Sequence, residues 1–391
     1  METQLPEDFC CPISHEIMSD PVILCSGYTF DRSSIQRWLD TGHRTCPITQ
    51  TPLPPRPSLI PNYALRSLIS HFAQAHHISL SPTLPATISA SATTAAGTLQ
   101  SYPSSQRQKV KQLVSTLASP ESPTSSKLDA LSLLRRPSKY DVNFRQILTD
   151  SGGASAILLC ASDPQLQDSA LSVLFNLSLD DDNKVGLVAE GALGPVVAAL
   201  SSGFPAARAL SATIITSLAI VEVNKGTIGR YPGAVESLVE LLRDGNLKGK
   251  REAATALSTL CSFPDNKRRA VDAGAVPILL ALAAAEESME RPVEVLSLLS
   301  RCAEGREAIR NCRGGVQVLS RILKDGRPQS RREHALAALS SICSHSESFA
   351  AAAKREGVYE SCLEFIGDEN GKVKRNASIL IQALERCRDG S

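Results

Sequence analysis

Cysteine and histidine side chains are concentrated near the start of the chain, where they could coordinate a metal ion or serve as nucleophiles. The candidates are Cys10, Cys11, His15, Cys25, His43 and Cys46. A pair of structural zinc sites needs eight ligands in paired spacings, and the chain contains no Cys-x-x-Cys pair. The spacing therefore disfavours zinc, and the sequence predicts neither a metal site nor a cofactor.

The elements that must position these residues are short. Residues 22–24 and 28–30 are β-rich, and the turn residues Ser26-Gly27 between them predict a hairpin. Asp31 is placed to cap a helix over residues 32–40. Without a metal, this small module has to be held together by apolar packing and hydrogen bonds.

Two predicted helices supply apolar faces to the module. Phe30 and Ile35 have the spacing of a hydrophobic staple, and Ile35, Trp38 and Leu39 fall on one face of the first helix. Asn62 predicts the cap of a second helix, whose apolar residues have the spacing of a core-facing stripe. These residues are Leu65, Leu68, Ile69 and Phe72.

Seven short motifs follow one another in this region. They are Pro-Glu-Asp-Phe, Cys-Pro-Ile-Ser, Asp-Pro-Val, Gly-Tyr-Thr-Phe-Asp-Arg, Trp-Leu, Thr-Cys-Pro and Leu-Ile-Pro-Asn. In this order they resemble the plant-type U-box, a zinc-free relative of the RING domain, across residues 6–72. A U-box docks a ubiquitin-conjugating enzyme, so the resemblance implies a ubiquitin-protein ligase.

The resemblance also implies an enzyme-binding surface made of two loops and the helix between them. Ile13 would be the apolar contact of the first loop, with His15 beside it. Pro47 and Ile48 would form the second loop, and Trp38 would flank both from the helix. Exposed apolar residues are reasonable anchors for a small docking surface. Core packing of Trp38, and a plain surface role for His15 and Ile48, are the alternative interpretations.

Many RING and U-box ligases carry an arginine just after the second loop, where it favours the reactive, closed arrangement of conjugating enzyme and ubiquitin. Gln50 takes that position here, and glutamine can donate hydrogen bonds but brings no charge. The resemblance further implies catalysis by positioning, in which a substrate lysine attacks a thioester held by the conjugating enzyme. It therefore implies no catalytic residue on this chain, and Cys25 and Cys46 are interpreted as space-filling residues.

The overall composition limits the classes of partner. The 391 residues include 41 Lys and Arg against 40 Asp and Glu, so the chain has no global attraction to nucleic acid or to an anionic membrane. No run of about 18 apolar residues occurs, and no integral membrane segment is expected. The 11 cysteines and the polar N-terminus favour a reducing compartment. We expect a cytoplasmic location, with nuclear and peripheral plasma-membrane locations left open.

Residues 67–106 contain no Asp, Glu, Lys or Arg, and Ser, Thr, Ala and Pro dominate the later part of this segment. Such a composition has little to bury. It predicts a flexible tether over residues 77–106 between two domains. An Ala-rich helix and a phosphorylated regulatory segment are the alternatives.

A glycine recurs before an apolar helix throughout the rest of the chain. The glycines are Gly153, Gly191, Gly233, Gly274, Gly314 and Gly357, at intervals of 38, 42, 41, 40 and 43 residues. A period near 40 lies in the range of armadillo and HEAT repeats, and the Gly-Ala pair before the helix resembles the armadillo family. We predict about six repeats after a divergent cap over residues 106–148, with a loop over residues 119–126.

A solenoid of this kind offers a groove to an extended partner. In nuclear-import armadillo proteins, Asn side chains on the third helix of each repeat bind a peptide backbone, and Asn176 alone stands at that position here. The equivalent positions of the other repeats are taken by Ser217, Thr259, Leu298 and Ser341. Recognition of basic peptides is therefore not predicted. Asn176, Ser217 and Thr259 are candidate groove residues. A helix-end hydrogen bond within the stack is the alternative role of Asn176.

The sequence therefore predicts a mainly α protein with a small α+β U-box over residues 1–76, the tether over residues 77–106 and an all-α armadillo-repeat solenoid over residues 107–391. In the implied function, the U-box binds a ubiquitin-charged conjugating enzyme and the repeats recruit a protein substrate, such as a receptor-like kinase or another signalling protein. A homodimer through the U-box is left open. The alternative function is a non-catalytic armadillo scaffold with a vestigial U-box.

Overall fold

The computed structural model describes residues 6, 9–24, 26–53, 57, 59–62, 65, 69, 72, 104–285, 289–325 and 328–386. Cys25, Leu68 and most of the predicted tether lie outside these residues. The chain divides into two compact units, Met1–Pro195 and Val196–Ser391.

The N-terminal module contains β1 (Pro21–Ile23), β2 (Thr29–Asp31), α1 (Arg32–Asp40) and β3 (Ile60–Pro61). The three strands pair antiparallel in the order β2-β1-β3. Gly27 turns the hairpin between β1 and β2 at a φ of 84°, a conformation that glycine adopts without strain. The predicted hairpin is confirmed.

Helix α1 also has the predicted bounds. The side chain of Asp31 accepts a hydrogen bond from the backbone N–H of Ser33, as an N-cap does. The helix gives way to Gly42, whose φ of 92° cannot continue a right-handed helix. Phe30 and Ile35, the predicted staple pair, are both fully buried.

One cluster of buried side chains forms the core of this module. Its buried members are Cys11, Met18, Val22, Leu24, Phe30, Ile35, Leu39, Cys46, Leu53 and Ile69. Asn62 accepts a hydrogen bond from the N–H of Leu65 at 3.1 Å, as predicted for the cap of the second helix. Phe72 meets Phe9 edge to face at 5.3 Å between ring centroids. Apolar packing thus supplies the cohesion of the described part of the module.

The helical array begins with α2 (Ser104–Ala118) and α3 (Thr124–Tyr140). Residues 104–106, at the end of the predicted tether, are therefore helical. The predicted loop over residues 119–126 is wrong at its second half, because α3 starts directly after Pro123. Ser and Thr are well tolerated in the first turn of a helix, where the N–H groups have no intrahelical partner.

The following helices occur in sets of three, each with a short first helix. The sets are α4 (Val142–Asp150), α5 (Gly153–Ala161) and α6 (Gln167–Leu177); α7 (Asp181–Ala189), α8 (Leu193–Ser202) and α9 (Pro205–Leu218); α10 (Glu222–Arg230), α11 (Ala234–Asp244) and α12 (Leu247–Leu260); α13 (Pro264–Asp272), α14 (Ala275–Ala284) and α15 (Arg291–Leu299); α16 (Ala303–Asn311), α17 (Gly315–Asp325) and α18 (Gln329–Cys343); and α19 (Glu347–Arg355), α20 (Val358–Leu363) and α21 (Gly371–Arg386).

The recurring glycines lie between the first and second helices of these sets. Gly191, Gly233, Gly274, Gly314 and Gly357 have φ angles of 91°, 79°, 79°, 81° and 71°, in the left-handed region that strains other residues. In the first set, Gly152 takes this role with a φ of 76°, while Gly153 is the first residue of α5. A Cβ on Gly153 would lie 2.4 Å from Cδ1 of Leu148. The predicted period is confirmed, with this one-residue correction.

Three buried asparagines, each on the first helix of a set, bind the end of the preceding third helix. The side-chain amide of Asn183 donates to Leu177 O at 3.1 Å, that of Asn224 to Leu218 O at 2.9 Å, and that of Asn266 to Leu260 O at 3.1 Å. Each accepting carbonyl belongs to the last turn of a third helix, where the helix itself supplies no donor. The asparagines therefore pair helix ends that would otherwise be buried without a partner.

Within the described ranges, no single helix combines the length and apolar composition needed to cross a membrane. The pair Asp181–Ala189 and Leu193–Ser202, bent by 84°, meets that test of length and composition only when both helices are counted together.

Candidate functional site

The two predicted docking loops share one backbone structure. Loop 1 is residues 11–15 and loop 2 is residues 46–50. In each loop, the N–H of the last residue donates to the carbonyl of the opening cysteine, at 2.8 Å in loop 1 and 2.9 Å in loop 2. The cysteine N–H donates in turn to the carbonyl of the residue after the loop, at 2.8 Å and 2.9 Å. An antiparallel bridge flanks each loop, Cys10 with Ile17 and Thr45 with Pro52.

The last residue of each loop has the same uncommon backbone conformation. His15 has a φ of 57° and Gln50 a φ of 58°, and they are the non-glycine residues of the described chain with positive φ. Such residues are strained and tend to occur at functional sites. In loop 2, the side chain of Gln50 also donates from Nε2 to Pro47 O at 3.2 Å.

The separate motifs of the two loops do not by themselves predict this equivalence. Its signal is the repeated string Cys-Pro-Ile-Ser and Cys-Pro-Ile-Thr, which opens at Cys11 and again at Cys46. Both cysteines are fully buried, and the N–H of Asp31 donates to the sulfur of Cys11 at 3.2 Å. The cysteines therefore anchor the loops from within the core.

The apolar loop residues retain part of their surface in solvent. Ile13 and Pro47 are half-buried, and His15 is exposed. Ile13 packs one side against the core, which holds its exposed side in a defined position. Ile48 remains 41% exposed. Apolar side chains displayed on rigid loops are suited to docking another protein.

Trp38 connects α1 to loop 2. Its side chain is half-buried, packs against the core, and donates from Nε1 to Thr45 O at 3.0 Å. The imidazole of His43 stacks on the indole, with 3.8 Å between ring centroids. Nδ1 of His43 lies 2.9 Å from Oγ1 of Thr41 and 3.1 Å from Trp38 O. Trp38 thus combines core packing with a hydrogen bond directly before loop 2.

His43 is a further site residue, whose type and position in the sequence indicate only a possible zinc ligand. Its relation to Trp38 depends on the turn at Gly42, which folds the chain back over the end of α1. An aromatic and a histidine on either side of a helix-terminating glycine are the signal that could have indicated this contact.

The carboxylate of Asp31 accepts hydrogen bonds from two segments of the module. Oδ2 accepts from Ser19 N at 2.8 Å, Ser19 Oγ at 3.1 Å and Asp20 N at 3.0 Å. Oδ1 accepts from the N–H and the hydroxyl of Ser33 at 3.1 and 2.7 Å. Asp31 thereby connects the chain after loop 1 to the start of α1.

The surroundings of Asp31 also set its ionisation. Burial by itself would raise the pKa of this carboxyl, but hydrogen bonds from the backbone of Asp20, the hydroxyl of Ser33 and the backbone N–H groups of Ser19 and Ser33 outweigh it. The pKa of Asp31 therefore lies below its usual value. Donors that stabilise the ionised form are the cause.

The candidate metal ligands lie in different parts of the module. Across the residues that the structure describes, no three His, Cys, Asp or Glu side chains are grouped so as to hold a metal ion. Cys11 and Cys46 lie in the core, whereas His15 and His43 are exposed. Cys25 lies outside the described residues.

The candidate groove residues differ in their availability. Asn176 is 4% exposed, and its Nδ2 donates to Arg135 O and to Ser138 Oγ, both at 2.9 Å. Its amide therefore serves packing within the stack, as in the alternative interpretation. Ser217 is buried, while Thr259 is half-buried and donates to a carbonyl of its own helix at 3.0 Å. Contact of these three residues with a substrate stays a prediction.

Comparison with known proteins identifies relatives of both regions. The family model described as U-box domain matches residues 5–78, and the one described as Plant U-box protein ARM repeat region matches residues 109–388. U-box domain-containing protein 8 of Arabidopsis thaliana is 49% identical over 386 residues, which cover 98% of each chain. The E3 ubiquitin-protein ligase SPL11 of Oryza sativa subsp. japonica is 36% identical over 180 residues, 46% of this chain and 24% of that protein.

Other Arabidopsis U-box relatives are longer, and this chain spans about half of their length. Among solved structures, an engineered protein from the Northeast Structural Genomics Consortium matches with a TM-score of 0.60 at 22% identity, over 71% of this chain and 68% of that one. A similarity at this level concerns the fold alone, and it agrees with the all-α architecture of the repeats.

Proposed function

The chain belongs to the plant U-box family of ubiquitin-protein ligases with an armadillo-repeat region, and on this premise we propose that it docks a ubiquitin-charged conjugating enzyme on loop 1, loop 2 and α1. The observation that supports the proposal is the shared backbone structure of the two loops. It holds Ile13 and Pro47 partly exposed on the same small module.

The contribution of this chain to the reaction is positioning. The thioester belongs to the conjugating enzyme, and the nucleophile is a lysine of the substrate, so no residue of this chain forms a covalent intermediate. In this proposal, the residues that contact the conjugating enzyme are Ile13, His15, Trp38, Pro47 and Ile48. Fixing the thioester in one orientation lowers the entropic part of the barrier to attack.

Gln50 stands where an arginine favours the closed arrangement in many relatives. Its side chain is exposed, and a 3.2 Å hydrogen bond to Pro47 O holds it within loop 2. We assign it a weaker version of the same role, in which an amide donor bridges conjugating enzyme and ubiquitin without adding charge.

The armadillo repeats recruit the substrate in this proposal, and a receptor-like kinase or another signalling protein is the class we favour. The proposed location is the cytoplasm, with the nucleus and the inner face of the plasma membrane as further sites. Dimerisation through the U-box is compatible with this mechanism.

A reconstituted ubiquitination assay tests the proposal. It combines activating enzyme, a panel of conjugating enzymes, ATP, ubiquitin and the full chain, with Ile13→Ala and Pro47→Ala beside the wild type. Removing a central apolar contact of a small interface costs about 2 kcal/mol, so we expect chain formation to fall by about tenfold or more.

Ile220→Ala is the matched control, because Ile220 is 60% exposed and lies in the repeats. It should leave activity unchanged. Wild-type rates in the folded Ile13→Ala and Pro47→Ala variants would contradict the docking surface. If no conjugating enzyme supports chain formation by the wild type, the non-catalytic scaffold is the correct function.

A further inference from the structure

A cavity of about 300 Å³ lies among three successive third helices of the unit Val196–Ser391. Side chains of α15, α18 and α21, and of the turns next to them, line it. Helix α18 packs against both α15 and α21, so the three helices form one continuous wall. The predicted groove position Leu298 contributes to this lining.

Three of the four charged side chains that line the cavity, one from each helix or its adjoining turn, alternate in sign from one helix to the next. Arg301 follows α15, Glu333 lies on α18 and Lys372 lies at the start of α21. Across the part of the chain that the structure describes, none of their charged groups has a hydrogen bond or an ion pair. Glu294, another lining residue, is by contrast paired with Arg291 at 2.5 Å.

The three unpaired residues differ in their exposure to solvent. Glu333 is half-buried, whereas Arg301 and Lys372 are exposed at the rim. Because the carboxylate of Glu333 has no partner within the described residues, an incoming cation would pair with it without displacing an existing contact. The rim cations would meet anionic groups in solvent-accessible positions, where each pair contributes less but selects the ligand.

The remaining lining suits a peptide backbone. Asn376 is half-buried and lines the same cavity, and its side-chain amide offers both a donor and an acceptor. Leu298, Ala337 and Val373 supply apolar contact between the charged groups. Amide and apolar groups between separated charges are features of a site for an extended chain rather than for a compact anion.

The spacing of the helices indicates a sequence pattern for that chain. Packed helices lie about 8–10 Å apart. A polyproline II segment rises about 3.1 Å per residue with three residues per turn, so every third side chain points the same way at intervals of about 9 Å. Such a segment crossing α15, α18 and α21 would present one same-facing side chain to each helix.

We propose that this cavity binds an extended substrate peptide with the pattern acidic-x-x-basic-x-x-acidic. Acidic side chains pair with Arg301 and Lys372, and the central basic side chain pairs with Glu333. This inference rests on the proposed function, because it specifies the class of substrate that the ligase recruits. A nucleic acid does not fit, since its phosphates would face the carboxylate of Glu333.

Peptide binding to the full chain tests the pattern by fluorescence polarisation. The probes are labelled synthetic peptides with Pro-Ala spacers that carry Asp, Arg and Asp at every third position. The comparison set has the inverted charges, an uncharged Asn, Gln, Asn version and an all-acidic version. We expect the matching peptide to bind about fivefold more tightly than the uncharged one and the inverted peptide to bind most weakly.

A charge reversal makes the test specific to the cavity. Glu333→Lys should change the preference to the all-acidic peptide, and Arg301→Glu should weaken binding of the matching peptide by about fivefold. Lys374→Gln is the matched control, because Lys374 is exposed on α21 but does not line the cavity. Equal binding of all four peptides, or an unchanged ranking in Glu333→Lys, would overturn the proposal, as would preference for the inverted peptide.

The same variants separate this inference from the proposed ligase activity. The wild type and Lys374→Gln should build ubiquitin chains on themselves at the same rate, because Lys374 is exposed and does not line the cavity. If self-ubiquitination proceeds but no peptide is selected, the cavity proposal alone is wrong. If neither occurs in the wild type, the proposed ligase function is wrong as well.

Discussion

The imidazole of His43 stacks on the indole of Trp38, with ring centroids 3.8 Å apart and planes inclined by 19°. The indole N–H in turn donates to Thr45 O at 3.0 Å, directly before loop 2. Three consecutive parts of the site, namely α1, the turn after it and loop 2, are thereby held in one arrangement. We infer that His43 is a positioning residue for the conjugating-enzyme surface.

We predict that His43→Ala slows ubiquitin discharge from the conjugating enzyme by about threefold to tenfold. The imidazole is exposed, so the free energy of unfolding should change by less than about 1 kcal/mol. His43→Phe keeps a planar ring on Trp38 and should restore most of the rate. Single-turnover discharge to free lysine measures the effect, with Gln36→Ala, an exposed change on α1, as the control. Equal rates for His43→Ala and His43→Phe would argue against stacking as the cause.

We predict that Gln50→Arg raises the discharge rate by about threefold to tenfold. The guanidinium would add a charge and further donors at the position where the resemblance implies an arginine in many RING and U-box ligases. Glutamine and arginine both carry a Cβ, so the positive φ of 58° at this position strains them equally. The free energy of unfolding should therefore be nearly unchanged. The matched control is Gln50→Leu, which removes the donor to Pro47 O and should lower the rate. A rate for Gln50→Arg at or below the wild type would refute the assigned role.

We predict that Asp31→Asn destabilises the U-box by about 2–4 kcal/mol at neutral pH, because the amide cannot accept all the hydrogen bonds that the carboxylate accepts. Trp38 is the single tryptophan of the chain, so its fluorescence in a denaturant titration reports on this module. Asp40→Asn is the control, since Asp40 is exposed and pairs with Gln36.

The stability lost in Asp31→Asn should become smaller as the pH falls. The pKa of Asp31 is lower in the folded protein than in the unfolded chain, where it is about 3.9. Its contribution is therefore complete above about pH 5 and disappears as the pH falls through the folded pKa. The difference between wild type and Asp31→Asn should shrink in acid. A difference that stays constant down to about pH 2 would contradict this explanation.

We predict that Asn266→Ala destabilises the repeats around α12 by about 2–3 kcal/mol. Asn266 is 1% exposed, and its amide donates to Leu260 O at 3.1 Å and to Lys225 O at 2.8 Å. Alanine would leave both carbonyls without these donors in a buried place. Hydrogen exchange of the backbone at the end of α12 measures the loss, with the exposed Asn143→Ala as control. Wild-type protection in Asn266→Ala would show that other donors replace the amide.

The features that could be read from the sequence are those determined within a few residues. Gly27 between two β-rich runs indicated the hairpin, and Asp31 before residues 32–40 indicated the helix with its cap. The glycine period indicated the helical sets, although Gly152 rather than Gly153 has the left-handed conformation in the first one. Turn residues, caps and helical periodicity act through the local backbone, so a sequence displays them directly.

The U-box motifs and the repeat period follow from residue type and local spacing. The resemblance that these motifs carry implies the candidate residues Ile13, Trp38 and Pro47. Three relations become visible only in the folded chain: loop 1 and loop 2 are equivalent, His43 stacks on Trp38, and Asp31 accepts hydrogen bonds from Ser19 and Asp20. Folding likewise buries Asn176 and brings Arg301, Glu333 and Lys372 to one cavity. Each of these relations depends on which distant segments pack together and which polar groups that packing removes from water.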